Sequence, residues 1–320
     1  MKLVFILAAI SLFCLSNAAS QTSTPSGPEG RNKPGFVYDS ARKKFVLFGG
    51  FGRRGEGTKD DTWEWDRTAW TRVGTTGPSA RGAMGMAYDN KRRRVVLFGG
   101  SDASGQLADT WEWDGKAWKQ LAGAGPSARG GAQMVYDSRR QEIILFGGTV
   151  QENQPPAGDT WKWDGVKWSQ VSSSGPLPRV NHSMAYDSRR GKVVLFGGYS
   201  RGPGARRLGD TWEWDGVKWT EITDSEKLKR DHQGMSYDNA RGRVVLFGGW
   251  DGKYLGDTWE WDGARWIEIQ VAGPSARGGI PSMAYDAHRK RVVLFGGWDA
   301  TGPVSDVWEW DGKLWKQVAR

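Results

Sequence analysis

Two histidines stand in matching surroundings: His182 in RVNHS and His232 in RDHQG, each a few residues after an arginine, Arg179 and Arg230. An imidazole beside an amide (Asn181) or a carboxylate (Asp231) could exchange a proton near neutral pH, which makes the pair the candidates for acid–base chemistry. The competing reading is two loop histidines with no catalytic part. The two arginines belong to a set of six: Arg31, Arg81, Arg129, Arg179, Arg230 and Arg277. A guanidinium can hold a carboxylate through two parallel hydrogen bonds, so such a set is a candidate anion clamp. Alternatively, each arginine pairs with an aspartate that recurs at the same intervals: Asp61, Asp109, Asp159, Asp210, Asp257 and Asp306.

Aromatic residues supply a second kind of candidate. Of 20 tryptophans, all but Trp250 and Trp298 fall in three recurring places. Those two follow a Gly-Gly pair, a position also held by Phe51 and Tyr199, with Arg53, Arg54, Arg201, Arg206 and Arg207 close by in the chain. Aromatic faces beside guanidinium groups suit sugar rings, acidic saccharides or peptide side chains. The same aromatics could instead cover the ends of neighbouring sheets.

What must position these residues is a repeated unit. Tyr-Asp begins at Tyr38, Tyr88, Tyr136, Tyr186, Tyr237 and Tyr285; Gly-Gly follows, then Asp-x-Trp, then a closing tryptophan (Trp70, Trp118, Trp168, Trp219, Trp266, Trp315). Each copy reads as four strands. The first resembles GMAYD, the second is an apolar VVLF run suited to burial on both faces, the third alternates as TWEWD, and the fourth resembles WKQL. Antiparallel order sends the loops between second and third strands to one side, with the six arginines, and the turns after Tyr-Asp to the other. The expected fold is all-β, a six-bladed propeller of four-stranded antiparallel sheets. Its repeats run over about 31–74, 81–122, 129–172, 179–223, 230–270 and 277–320. The recurring tryptophans are expected to wedge neighbouring blades apart, and the Gly of Trp-Asp-Gly, replaced by Arg67 in the first copy, to serve a tight turn.

The double glycine with a tyrosine before it and a tryptophan beyond it resembles the kelch-repeat family over roughly residues 30–320. The resemblance implies a propeller similar in fold to that of galactose oxidase, and is closest to exported bacterial types. Kelch rings commonly close by exchanging a strand between the termini. Here GPEGRNKPGFVYD aligns without gaps to GPSARGAMGMAYD and the last copy ends in WKQVAR, so all six copies look whole and closure without strand exchange is expected. Galactose oxidase-type copper chemistry needs a Tyr–Cys crosslink, and the single cysteine, Cys14, lies in the leader described next. A mutarotase acting on sialic acid, also of kelch type, would need little beyond an acid/base and an arginine clamp.

Lys2, a short apolar run and the small residues around Ala18 read as a signal peptide over 1–18, followed by a disordered tail over 19–30. No other stretch is long and apolar enough for a transmembrane anchor. A secreted or periplasmic protein is expected, without disulfides. The formal charge is +9, or +8 without the leader; the six turns after Tyr-Asp alone hold 17 Lys or Arg against one acid, Glu142. That gives either a basic ring at one end of the channel or ordinary turn solubility repeated. No nucleic-acid motif, metal-ligand spacing or cofactor loop accompanies it. The expectation is a monomeric, non-enzymatic binding module for a protein or an anionic glycan, engaged through Phe51, Arg53, Arg54, Tyr199, Trp250 and Trp298 with Asn181 and the arginines Arg81, Arg129, Arg179, Arg230 and Arg277. The alternatives are an enzyme of the mutarotase type using His182 or His232, and a scaffold using the basic face.

Overall fold

The first copy shows how the repeat becomes a sheet. Gly35–Asp39, Lys44–Phe48, Thr62–Trp65 and Trp70–Val73 form one antiparallel meander in chain order. A computed structural model of the chain describes residues 27–74, 76–151, 154–201, 204–280 and 282–319. Among the described residues six such four-stranded sheets are present, one per repeat, each built from its own copy alone. The expected signal peptide and residues 19–26 lie outside the described residues. Residues 27–30, expected in a disordered tail, pack on the ring instead: Glu29 pairs with Lys59 at 2.7 Å, and Gly27 lies close against the Trp70 ring.

Alternation along the third strand decides what is buried. In the first blade Val46 faces Glu64 and Phe45 faces Trp65, so Trp63 and Trp65 share one side and Glu64 takes the other. The second tryptophan of each phrase is at most 2% exposed in every blade (Trp65, Trp113, Trp163, Trp214, Trp261, Trp310). Its ring lies 5.4–5.9 Å from the ring of the closing tryptophan of the same blade. Each such indole contributes several kcal/mol of gross burial at ~25 cal/mol per Å².

The core is not central; it is divided among six seams. Each hydrophobic cluster joins two adjacent blades, and one of them joins Phe36, Phe45 and Trp65 of the first to Ala284, Val293 and Phe295 of the last. The ring therefore closes by packing, without strand exchange. Across five seams the closing tryptophan donates its indole N–H to the threonine of the preceding blade, as from Trp118 to Thr62 at 2.9 Å and Trp219 to Thr160 at 2.8 Å. At the closing seam that threonine is replaced by Val307, which packs against Trp70 with no hydroxyl to accept.

The variable connections are more regular than loops. In blade four Lys192–Ser200 and Arg206–Trp214 run on past the double glycine as one hairpin, and in blade five Arg243–Trp250 pairs with Tyr254–Trp261. A bulge at the glycines lets the strand turn outward there without losing its partner.

Candidate functional site

The six arginines were candidates for an anion clamp, and each clamp is already closed. Arg81 donates Nε to the Ser79 carbonyl, Nη1 to the Gly99 carbonyl and to Asp109, and Nη2 to Ser79 Oγ and Asp109, which uses all five of its donors. Arg31, Arg129, Arg179, Arg230 and Arg277 repeat the bidentate pair with Asp61, Asp159, Asp210, Asp257 and Asp306, and all six are at most 3% exposed. Burial would raise the carboxyls of Asp61, Asp109, Asp159 and Asp257; the paired guanidinium and the indole N–H of the next-but-one tryptophan outweigh it and hold them below the usual range. Arg81, Arg129, Arg179, Arg230 and Arg277 are thus corrected from ligand-binding residues to braces. Each ties the start of its blade to the double glycine and the third strand.

The two histidines part company by one residue of register. His182 is the third residue after its arginine and His232 the second. The third position points into the seam: His182 is fully buried, edge-on to Phe146 at 5.5 Å, and among the described residues neither ring nitrogen has a hydrogen-bond partner of good geometry. Burial, reinforced by the Arg179 charge, pushes its pKa down to about 3. It is neutral and out of reach of any ligand, which removes it as a catalytic candidate.

The second position points to the channel mouth. Lys33, Ala83, Asn181 and His232 there all have positive φ, between 48° and 61°, and Gly131 occupies the same place with φ 74°; blade six has one residue more before its tyrosine and spends two on this place, Gly279 at φ 72° and Ile280 at φ 52°. Backbone bonds link them around the axis: Ala83 N–H to the Lys33 carbonyl, Gly131 to Ala83, His232 to Asn181, Ile280 to His232 and Lys33 to Gly279, at 2.7–3.0 Å. The side chains of this belt are therefore presented at the mouth. Lys33 reaches across from blade one to blade four, where Nζ donates to Asn181 Oδ1 at 2.9 Å. Burial lowers the Lys33 pKa to about 8, with Asp231 opposing the shift and Arg201 adding to it. His232 stays accessible, with Nδ1 3.3 Å from Asp231 Oδ1; burial and the Lys33 charge lower its pKa against the pull of Asp231.

The residue after each double glycine pairs with the residue after an arginine: Phe51 with Asn32, Ser101 with Gly82, Thr149 with Gly130, Tyr199 with Val180, Trp250 with Asp231 and Trp298 with Gly278. These positions share the face of the belt, so four aromatics occupy blades four, five, six and one while blades two and three carry small polar residues. Phe51, Trp250 and Trp298 meet around a cavity of about 470 Å³ whose remaining lining is Asn32, Lys33, His232, Tyr254 and Gly279. Tyr254 packs edge-on to Trp250 at 4.8 Å. Tyr199 holds the equivalent place in blade four but does not line this cavity, a correction to the four-membered arc. Arg53 and Arg54 line an adjoining groove of about 630 Å³ that shares Phe51 and Trp298. Arg207 turns to Asp231 at 3.5 Å, while Arg201 and Arg206 are exposed.

Lys33, Asn32 and Tyr254 were not singled out in the sequence. Lys33 and Asn32 had a signal there, since they align with Asn181 and Val180, whereas Tyr254 depended on the register of the blade-five hairpin. Below the belt, Phe36 and the methionines Met86, Met134, Met184, Met235 and Met283 divide the channel into a chamber of about 110 Å³ and a wider vestibule of about 360 Å³.

The basic turns on the far face are partly consumed. Arg42, Arg92, Arg140, Arg190 and Arg241 each pair with the aspartate three residues earlier, at 2.5–2.7 Å. Their guanidinium groups lie over the Trp-Asp-Gly glycine of the next blade, as Arg140 does over Gly216, where a Cβ would collide with it.

Six like blades around one channel, each braced by an Arg–Asp pair and carrying its differences on one face, define a β-propeller built from repeats. Residues 112–275 match the model of the KLHDC2/KLHL20/DRC7 Kelch-repeats domain, half of the chain, and the protein belongs to the kelch-repeat family. A search of curated proteins finds no match. Kelch propellers of this kind are protein-binding modules. Among the described residues no helix is long and apolar enough to cross a membrane, and no group of three or more His, Cys, Asp or Glu is placed to hold a metal ion.

Proposed function

We propose that the chain is an exported binding module that engages a protein partner through its variable face, seating a side chain of the partner in the cavity between Phe51, Trp250, Trp298 and Tyr254. The observation that carries this reading is the convergence of aromatics from three blades at positions where two other blades have Ser101 and Thr149. The repeat does not need aromatics there, since those blades hold the same bridge without them. A half-buried tryptophan cluster with a polar rim has the composition of a binding hot spot. The adjoining groove with Arg53 and Arg54 extends the surface toward acidic groups. Export rests on the charged and apolar start of the sequence.

The test is a screen of the chain without residues 1–18 against exported proteins and glycans, repeated with Trp250→Ala and Trp298→Ala. Each variant is expected to weaken partner binding by more than about 30-fold, or ~2 kcal/mol, while the melting temperature stays within ~2 °C. Unchanged binding, or unfolding of both variants, would reject this face. Selection of acidic glycans in place of proteins would reject the partner class and keep the site. N-terminal sequencing of the processed protein checks export, with cleavage near Ala18 expected.

A further inference from the structure

Lys33 combines features that a surface lysine lacks. It stands on the wall of the aromatic cavity, its Nζ is held at 2.9 Å by Asn181 Oδ1 from the opposite blade, and it is crowded by groups of both signs. Those facing it are Asp231, His232, Arg201 and, through Asp231, Arg207. With its pKa near 8, about a quarter of the amine is neutral at pH 7.5, against about a thousandth for an ordinary lysine. An amine withdrawn from water and set beside another cation, here Arg201, is the arrangement that activates lysine as a nucleophile toward carbonyl groups. His232 lines the same cavity, and with Nδ1 3.3 Å from Asp231 Oδ1 its Nε2 is the nitrogen left to exchange a proton with a ligand.

We propose that Lys33 captures aldehydes as a reversible imine, with the planar or ring portion of the ligand lying among Trp250, Trp298 and Phe51. Nζ adds to the carbonyl carbon while the C=O π pair moves to oxygen, which takes up a proton from solvent that the final iminium gives back. The nitrogen of the adduct gives a proton to His232. Loss of the hydroxyl as water, protonated by His232 in return, then forms the C=N bond. One water leaves, nothing is oxidised, and hydrolysis runs the same steps backward. The ligand class is an aldehyde with a flat or ring-shaped body, such as an aromatic aldehyde or the open-chain form of a reducing sugar. The inference shares the cavity with the binding function above but not its partner, so either can fail alone.

The experiment uses the chain without residues 1–18, 4-hydroxybenzaldehyde as probe and cyanoborohydride to trap the imine, followed by peptide mapping that separates Lys33 from the other lysines and from the α-amino group. Lys33 is expected to label at least about tenfold faster than any other lysine at pH 7.5, with a rate that climbs up to about pH 8 and then levels. Lys33→Arg should lose that label. Trp250→Ala should cut it several-fold with its fold intact by circular dichroism, a readout that does not depend on a variant at Lys33 folding. Labelling spread over lysines in proportion to exposure would overturn the proposal. So would benzoate binding that protects nothing and an unlabelled Lys33, which would make the residue a charged anchor for carboxylates.

Discussion

His182 shows how one position of register separates a buried imidazole from an accessible one. Its two unpartnered ring nitrogens are a cost the fold carries, since a buried polar group without a partner costs about 1–3 kcal/mol. Blade two places Met84 at the equivalent point, so His182→Met is expected to hold or gain about 1 kcal/mol in urea unfolding. The pH dependence follows from the depressed folded value. Below the ordinary value of about 6.5 the unfolded chain takes up a proton that the folded chain refuses until about pH 3, so stability falls as pH drops through that window. The variant should show a shallower loss of melting temperature between pH 6.5 and 4.5, with His232 supplying part of what remains. Four brace aspartates act lower. The folded pKa values of Asp61, Asp109, Asp159 and Asp257 are held down, so the stability they add is complete above about pH 4 and is lost as pH falls further. Arg179→Leu should destabilise by about 3–5 kcal/mol, because it leaves Asp210 as an unpaired buried charge.

At the scale of the element, the Trp-Asp-Gly turn does two jobs in one residue. Gly216 has φ 96°, which a side chain rarely adopts, and its missing Cβ is the space in which Arg140 from blade three lies. Gly216→Ala is expected to cost more than about 1 kcal/mol in unfolding experiments, more than the φ alone explains, because Arg140 must also leave the seam. The fourfold strand pattern was legible in the sequence because burial on both faces, alternation and turn residues act locally. The hairpins past Gly198 and Gly249 were not, since a bulge at two glycines reads as the end of a strand until its partner is known.

Closure sets the stability of the whole ring, and the closing seam is the one built differently. Arg67 stands where five copies have glycine, and its guanidinium reaches Asp286 of the last blade at 3.5 Å. Val307 leaves Trp70 without the hydroxyl that its counterparts use. Val307→Thr should restore that bond and raise the unfolding free energy by about 0.5–1.5 kcal/mol, read as a higher melting temperature. A fall instead would mean that the threonine hydroxyl is buried without reaching the indole. Hydrogen exchange is expected to be fastest at the strands flanking this seam, where the Trp–Thr bond that spans the other five is replaced by an apolar contact.

The sequence by itself determined the repeat, the strands, the wedging tryptophans and the face on which the copies differ, because each follows from short-range pattern multiplied six times. It left open whether the six arginines face a ligand or their own aspartates, and it treated two histidines as one motif. Only the closed ring decided these points. Pairing consumes a guanidinium according to what lies within 3 Å of it, and a single step along a strand or a tight turn exchanges a seam for a channel mouth. The aromatic cavity with Lys33 at its wall is likewise a property of closure, since blades one, five and six become neighbours there only when the two ends of the chain meet.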